Sequence, residues 1–365
     1  ASLRETLDHA ADRRHLSLMI DIRRPAIAFA CTLIAPTAAM AQFERLEPRF
    51  DALIPRTAAI EVLADGIGWA EGPVWDASDG SLLLSDVVGN VIFRWKEGVG
   101  LTRFRERSGY TGTEPFTGRE PGSNGLTFDD RGRLVMCQHG DRRVARLNED
   151  GSITVLADRY EGRRFNSPND LVYGPRGDLY FTDPPFGLPG TFNSPDRELD
   201  FTGVFRLAPD GAVSLLIRDL RGPNGIGMSP DGATLYVSSS ERGRALWRAY
   251  PVRPDGSVGG GREFAEAVGG GPGGADGLKV DIDGNVFATG PGGVHVFAAD
   301  GTRLGRILTG QPTANVAWGD DGSVLYITAN HQLLRVRTTT RGAERPGPGQ
   351  VKRTRSDSGR DDEVE

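Results

Sequence analysis

A short unit recurs six times along this chain, and its recurrence restricts the fold more tightly than any other feature. Each copy is a glycine turn followed by a β-rich run, with the turns at Asp79-Gly80, Arg131-Gly132, Arg176-Gly177, Asp231-Gly232, Asp283-Gly284 and Asp321-Gly322. The glycines stand 52, 45, 55, 52 and 38 residues apart, close to the length of a four-stranded propeller blade. A further run follows in the copies, as in 91–95, 144–147, 204–207 and 294–297, and another lies ahead of the next copy, as in 153–156, 213–217 and 304–308. Their alternation of apolar and polar residues fits half-buried strands. The last copy lacks this final run, whereas residues 59–64 form one with no unit ahead of it. Residues 59–64 are therefore expected to pair with Leu333 to Val336 and close the ring, leaving no sheet edge open. The predicted fold class is all-β: a six-bladed β-propeller of four-stranded blades over residues 58–337, closed by an N-terminal strand. A β-sandwich would also give short strands with glycine turns, but not repetition at blade length.

The ends read differently. Arg23-Arg24 precede an apolar run from Ala26 to Ala38 that ends in Ala39-Met40-Ala41, the pattern of a signal peptide. The expectation is a signal over residues 19–41 cleaved after Ala41, an upstream extension before it, a lead-in over 42–57, and a periplasmic or secreted protein. Removal of Cys31 with the signal would leave Cys137 alone, so no disulfide is expected. From residue 338 to 365 the chain is Arg, Gly, Pro, Ser and acid without hydrophobic periodicity, and is expected to be a disordered tail. A net charge of -6, from 43 Lys and Arg against 49 Asp and Glu, offers no basic surface for nucleic acid. No stretch reaches the length of a membrane-spanning helix. Oligomeric state is not readable from the sequence.

Aligning the copies on their glycines exposes a second repeat, a polar residue seven to nine positions upstream: Glu71, Asn124, Asn169, Asn224, Asp276 and Asn315. Each is expected to precede the innermost strand of its blade, so all six converge on one mouth of the central channel. Two carboxylates with several amide oxygens form a hard donor set suited to Ca2+, then Mg2+ or Mn2+, whereas Zn2+ favours nitrogen and sulfur. A cation would also let Glu71 and Asp276 stay ionised side by side. The alternative, that Asn-Gly and Asp-Gly merely make turns, leaves the Glu at position 71 unexplained.

The segments Ala70-Glu71-Gly72-Pro73-Val74-Trp75, Ser123-Asn124-Gly125-Leu126, Asn166-Ser167-Pro168-Asn169-Asp170-Leu171, Thr182-Asp183-Pro184-Pro185-Phe186-Gly187, Pro223-Asn224-Gly225-Ile226 and Ala275-Asp276-Gly277-Leu278 resemble the gluconolactonase family, which includes regucalcin. The resemblance runs from about 58 to 337. It implies that Glu71, Asn224 and Asp276 are direct ligands of one divalent metal ion, that Asn169 serves its metal or substrate side, and that Asp276 doubles as the acid/base residue. Asn124 and His139 look like the bacterial branch of the family. Asn124, Asn169 and Asp170 are expected to bind sugar hydroxyls, and His139 either assists as a base or is a structural histidine. Asp183 is read as fixing a loop and Phe186 as an apolar wall. The implied reaction is metal-dependent hydrolysis of a sugar lactone, glucono-1,5-lactone to gluconate. The alternatives are another lactone, pentonolactone or paraoxonase-like, and a non-catalytic binding propeller that contains a metal. Arg142-Arg143 and Arg163-Arg164 read as solvated loop charge, and the tryptophans as packing between blades. No nucleophile elbow is present, and Ser238-Ser239-Ser240 has no visible partner.

Overall fold

The polar residue and the glycine turn of each repeat are joined by one strand, and this strand is the innermost of its blade. In the computed structural model, which describes residues 42–343 apart from 242, these inner strands are Ala70–Asp76, Ser123–Phe128, Leu171–Tyr173, Pro223–Met228, Leu278–Val280 and Thr313–Gly319. The runs after the turns, such as Ser81–Asp86 and Leu134–Gln138, are second strands, and two more antiparallel strands complete each blade. Neighbouring inner strands touch all the way round, with Thr313–Gly319 meeting Ala70–Asp76. The fold is a closed six-bladed β-propeller.

One expectation is corrected in its detail. Glu71, Asn124, Asn224 and Asn315 lie within the inner strand rather than ahead of it. The reason is a bulge: the register slips between Glu71 and Val74, Ser123 and Leu126, Pro223 and Ile226, and Thr313 and Asn315. A bulge leaves residues unpaired and re-aims their side chains, which hides the strand from a search for strict alternation.

Ring closure follows the expected pairing. Strand Glu61–Ala64 runs antiparallel to Gln332–Arg337, with Val62 opposite Leu334 and Ala64 opposite Leu333. The lead-in is also structured. Phe43–Arg45 adds a fifth strand to blade five beside Arg303–Leu308, and the helix Pro48–Leu53, opened by a proline that suits a first turn, buries Phe50 and Leu53. With Ile54 they pack against Val294, Val296, Trp318 and Val336, at the joint between blades five and six. The expected tail is corrected at its start. Residues 338–343 are held by Thr339 N–H donating to Leu53 O at 3.0 Å, Thr340 Oγ1 to Asp281 Oδ2 at 2.8 Å and Ala343 N–H to Val280 O at 3.0 Å. Composition missed this because the acceptors belong to distant segments. The rest of the expected tail and the expected signal segment lie outside the described residues.

Aromatic pairs fill the seams between blades, among them Trp75 stacked on Tyr326 at 5.5 Å, Trp247 on Phe297 at 5.1 Å and Phe287 on Trp318 at 4.9 Å. Two long loops, 107–122 and 184–202, lie at the same end of the barrel of strands as the polar residues, since one leads into Ser123 and the other leaves Asp183. No helix among the described residues is long and apolar enough to cross a membrane.

Candidate metal centre at the channel mouth

The glycine that follows four of the six polar residues sets how closely the blades approach. A Cβ at Gly72 would lie 1.9 Å from Asn124 O, one at Gly125 2.7 Å from Asn169 O, one at Gly225 2.3 Å from Asp276 O, and one at Gly277 2.0 Å from the Asn315 side chain. Each therefore faces the polar residue of the next blade. Only residues without a Cβ permit such contact, so these glycines close the inner ring, and Gly72 also takes a positive φ of 46°. Hydroxyls add latches between blades: Ser85 Oγ donates to Asn124 O at 2.8 Å, Thr182 Oγ1 to Asn224 O at 2.7 Å and Thr289 Oγ1 to Ala314 O at 2.9 Å.

This packing brings Glu71, Asn124, Asn169, Asn224 and Asp276 to one end of the channel. Glu71 is 3% exposed, and its carboxyl is pushed up to about 8, first by burial and then by the charges of Asp170 and Glu120. Asp276 is pushed well above the usual carboxylate range by burial and then by Glu71, Asp170 and Glu120. Asn224 hydrogen-bonds the Asp276 side chain and donates Nδ2 to Ser240 Oγ at 2.9 Å, which in turn donates to Ala275 O at 2.5 Å. Ser240, the end of the serine run, thus has partners that its sequence context did not show. Asn124 Oδ1 is buried and accepts no hydrogen bond among the described residues.

Two expected site residues have other engagements. Asp170 Oδ1 accepts from Leu171 N–H at 2.9 Å, while Oδ2 accepts from Ile226 N–H at 3.3 Å and Asn315 Nδ2 at 3.4 Å. It is a buried tie across blades three, four and six. Asn315 also hydrogen-bonds Glu71, and its Oδ1 accepts from Val316 N–H, so the sixth polar residue is a strut and not a free donor. His139 is fully buried, with Nε2 3.4 Å from Asn169 Nδ2 and Nδ1 3.3 Å from Glu120 Oε2. Glu120 belongs to the loop 107–122, outside the repeat, so alignment of the copies carries no signal for it.

Asp183 fixes a loop as expected, with Oδ2 accepting from Asn166 N–H at 2.8 Å and from its Nδ2 at 3.1 Å. Arg142 corrects the reading of solvated charge: it is 7% exposed, and its Nε donates to Phe165 O at 2.8 Å and Asn166 O at 3.1 Å. An aliphatic stem and a backbone at positive φ let it turn inward beneath the loop that carries Asn169.

No three Asp, Glu, His or Cys side chains cluster as an ion site among the described residues. The donor set is instead two carboxylates with amide oxygens. It fits a hard divalent cation, because burial beside like charge disfavours the ionised form of both Glu71 and Asp276, a penalty that a cation offsets.

A closed six-bladed propeller with an oxygen-rich mouth defines a class of protein. The family model described as SMP-30/Gluconolactonase/LRE-like region matches residues 69–331, and the chain belongs to that family. It is 38% identical over 312 residues to a gluconolactonase of Zymomonas mobilis, covering 82% of this chain and 86% of that one. It is 31% identical over 265 residues to a pentonolactonase of Haloferax volcanii, covering 71% and 80%. Among solved structures, a gluconolactonase from Xanthomonas campestris superposes with a TM-score of 0.72 at 32% identity, covering 82% of this chain and 95% of that one.

Proposed function

We propose that this protein hydrolyses sugar lactones with the help of a divalent cation held at the channel mouth by Glu71, Asn169, Asn224 and Asp276. The observation that carries the reading is the convergence of Glu71 and Asp276 from blades one and five, both with strongly raised carboxyls, in a family whose relatives act on lactones. In the reaction water adds to the acyl carbon, the ring C–O bond breaks and the ring oxygen takes up a proton, giving the open-chain acid with no redox change. A divalent cation there supplies Lewis acidity toward the lactone carbonyl.

The chain's own groups do the rest. Asp276 is the acid/base residue, and its carboxylate removes a proton from the attacking water. Asn224 holds that carboxylate in place and is itself held by Ser240. Asn124, with its unpartnered Oδ1, accepts a hydrogen bond from a sugar hydroxyl. Calcium is the ion best matched to the oxygen set, and Mg2+ or Mn2+ come next. The apolar run and Ala39-Met40-Ala41 before residue 42 support export to the periplasm.

Glucono-1,5-lactone is the first substrate to try, given the Zymomonas relative, and a pentonolactone the second, given the Haloferax one. Purified protein should turn over at least one of them, lose that activity in chelator and regain it with Ca2+. Turnover that ignores chelator would remove the metal from the reading, and inactivity across a lactone panel would favour a binding propeller.

A further inference from the structure

Glu120 and His139 join the site from outside the ring of polar residues. Glu120 stands near the end of the loop 107–122, and His139 follows the second strand of blade two. The imidazole is held rigidly. Its backbone N–H donates to Gly122 O at 3.2 Å, and Gly187 packs so closely that a Cβ there would meet His139 Cβ at 2.8 Å. The ring can therefore do little but choose which nitrogen carries its proton.

That choice is set by the neighbours. Nδ1 makes no well-aligned hydrogen bond among the described residues, and the acceptor it faces is Glu120 Oε2 at 3.3 Å, which can only accept when ionised. The proton therefore belongs on Nδ1, which leaves Nε2 as an acceptor. Asn169 places its side-chain amide 3.4 Å from Nε2, and only the Nδ2–H end can donate there. The Oδ1 end is then turned away from His139. We propose that Glu120 and His139 form a positioning relay that fixes which way round the Asn169 amide faces, so that its oxygen is presented to the cation. The inference rests on the metal-centre reading above. It assigns His139 a positioning role, and it adds Glu120 as the residue that sets the tautomer.

The test is Ca2+ binding measured by calorimetry on the purified full chain. Glu120→Leu removes the acceptor and should weaken Ca2+ about 10- to 100-fold, the usual effect of losing a partner behind a metal ligand. Glu120→Gln keeps an acceptor oxygen for Nδ1–H and should stay within about threefold of wild type. Because the relay acts through Asn169, Glu120→Leu should have little further effect in an Asn169→Ala background. Glu120 is partly exposed on a loop, so melting curves of its variants should stay close to wild type. Equal Ca2+ binding by Glu120→Leu and wild type would overturn the relay. So would a Gln variant as weak as Leu, which would show that Glu120 acts through its charge, or an undiminished loss in the Asn169→Ala background. A wild-type protein that binds no Ca2+ would instead remove the metal centre, and the relay with it.

Discussion

At Glu71 two demands meet, a charged donor for a cation and an acceptor for the Asn315 amide. Glu71→Gln keeps the shape but loses the charge, and is expected to lower kcat by about 100-fold or more while the far-UV spectrum is unchanged. The glycines beside the polar residues make a separate prediction. Gly225→Ala drives a Cβ into Asp276 O, a backbone atom, and should destabilise the fold by roughly 1–3 kcal/mol in urea unfolding. Gly260→Ala, with open space around it, is the control and should be close to neutral. Asp183 gives the pH dependence. Burial raises its carboxyl to about 7 against an ordinary 3.8. The folded state then keeps a proton that the unfolded chain has released, so this contribution is whole below about pH 4 and is lost as pH rises to about 7. The urea midpoint of Asp183→Asn should change less across that window than that of wild type.

Among the elements, the strand pairing of Glu61–Ala64 with Gln332–Arg337 joins the two ends of the propeller, and the lead-in reinforces the same region. Phe50 is fully buried between blades five and six, although its helix has only six residues. So short a helix is not stable by itself and is formed by what it packs against. Phe50→Ala should cost about 3–5 kcal/mol, seen as a lowered melting temperature, while leaving the affinity for Ca2+ unchanged. A variant that melts like wild type would show that the lead-in is dispensable.

For the molecule as a whole, the proposed ligands come from blades one, three, four and five, so bound cation ties the ring together across its axis. Ion that binds only the closed ring stabilises it by mass action, about 2.7 kcal/mol at 100 times the dissociation constant. Ca2+ should therefore raise the melting temperature and chelator should lower it, and Glu71→Gln should abolish the difference. A melting temperature indifferent to Ca2+ in active protein would show that Ca2+ does not bind the closed ring in preference to the unfolded chain.

The blade count, the closing strand and the polar residues were legible in the sequence because a propeller is a repeat. Each copy needs the same turn glycine and the same inward position, and the two recur seven to nine residues apart. Glu120 was not legible because it lies on a loop outside the repeat; the tie made by Asp170, the inward turn of Arg142 and the order of residues 338–343 were not legible for another reason. Each depends on a partner from a different blade or terminus, brought close only by closure of the ring, and such a partner leaves no trace in local pattern. The same holds for Gly72, Gly125, Gly225 and Gly277. Sequence offers them as turn residues, and only the distance to the next blade shows that they are there to let it in.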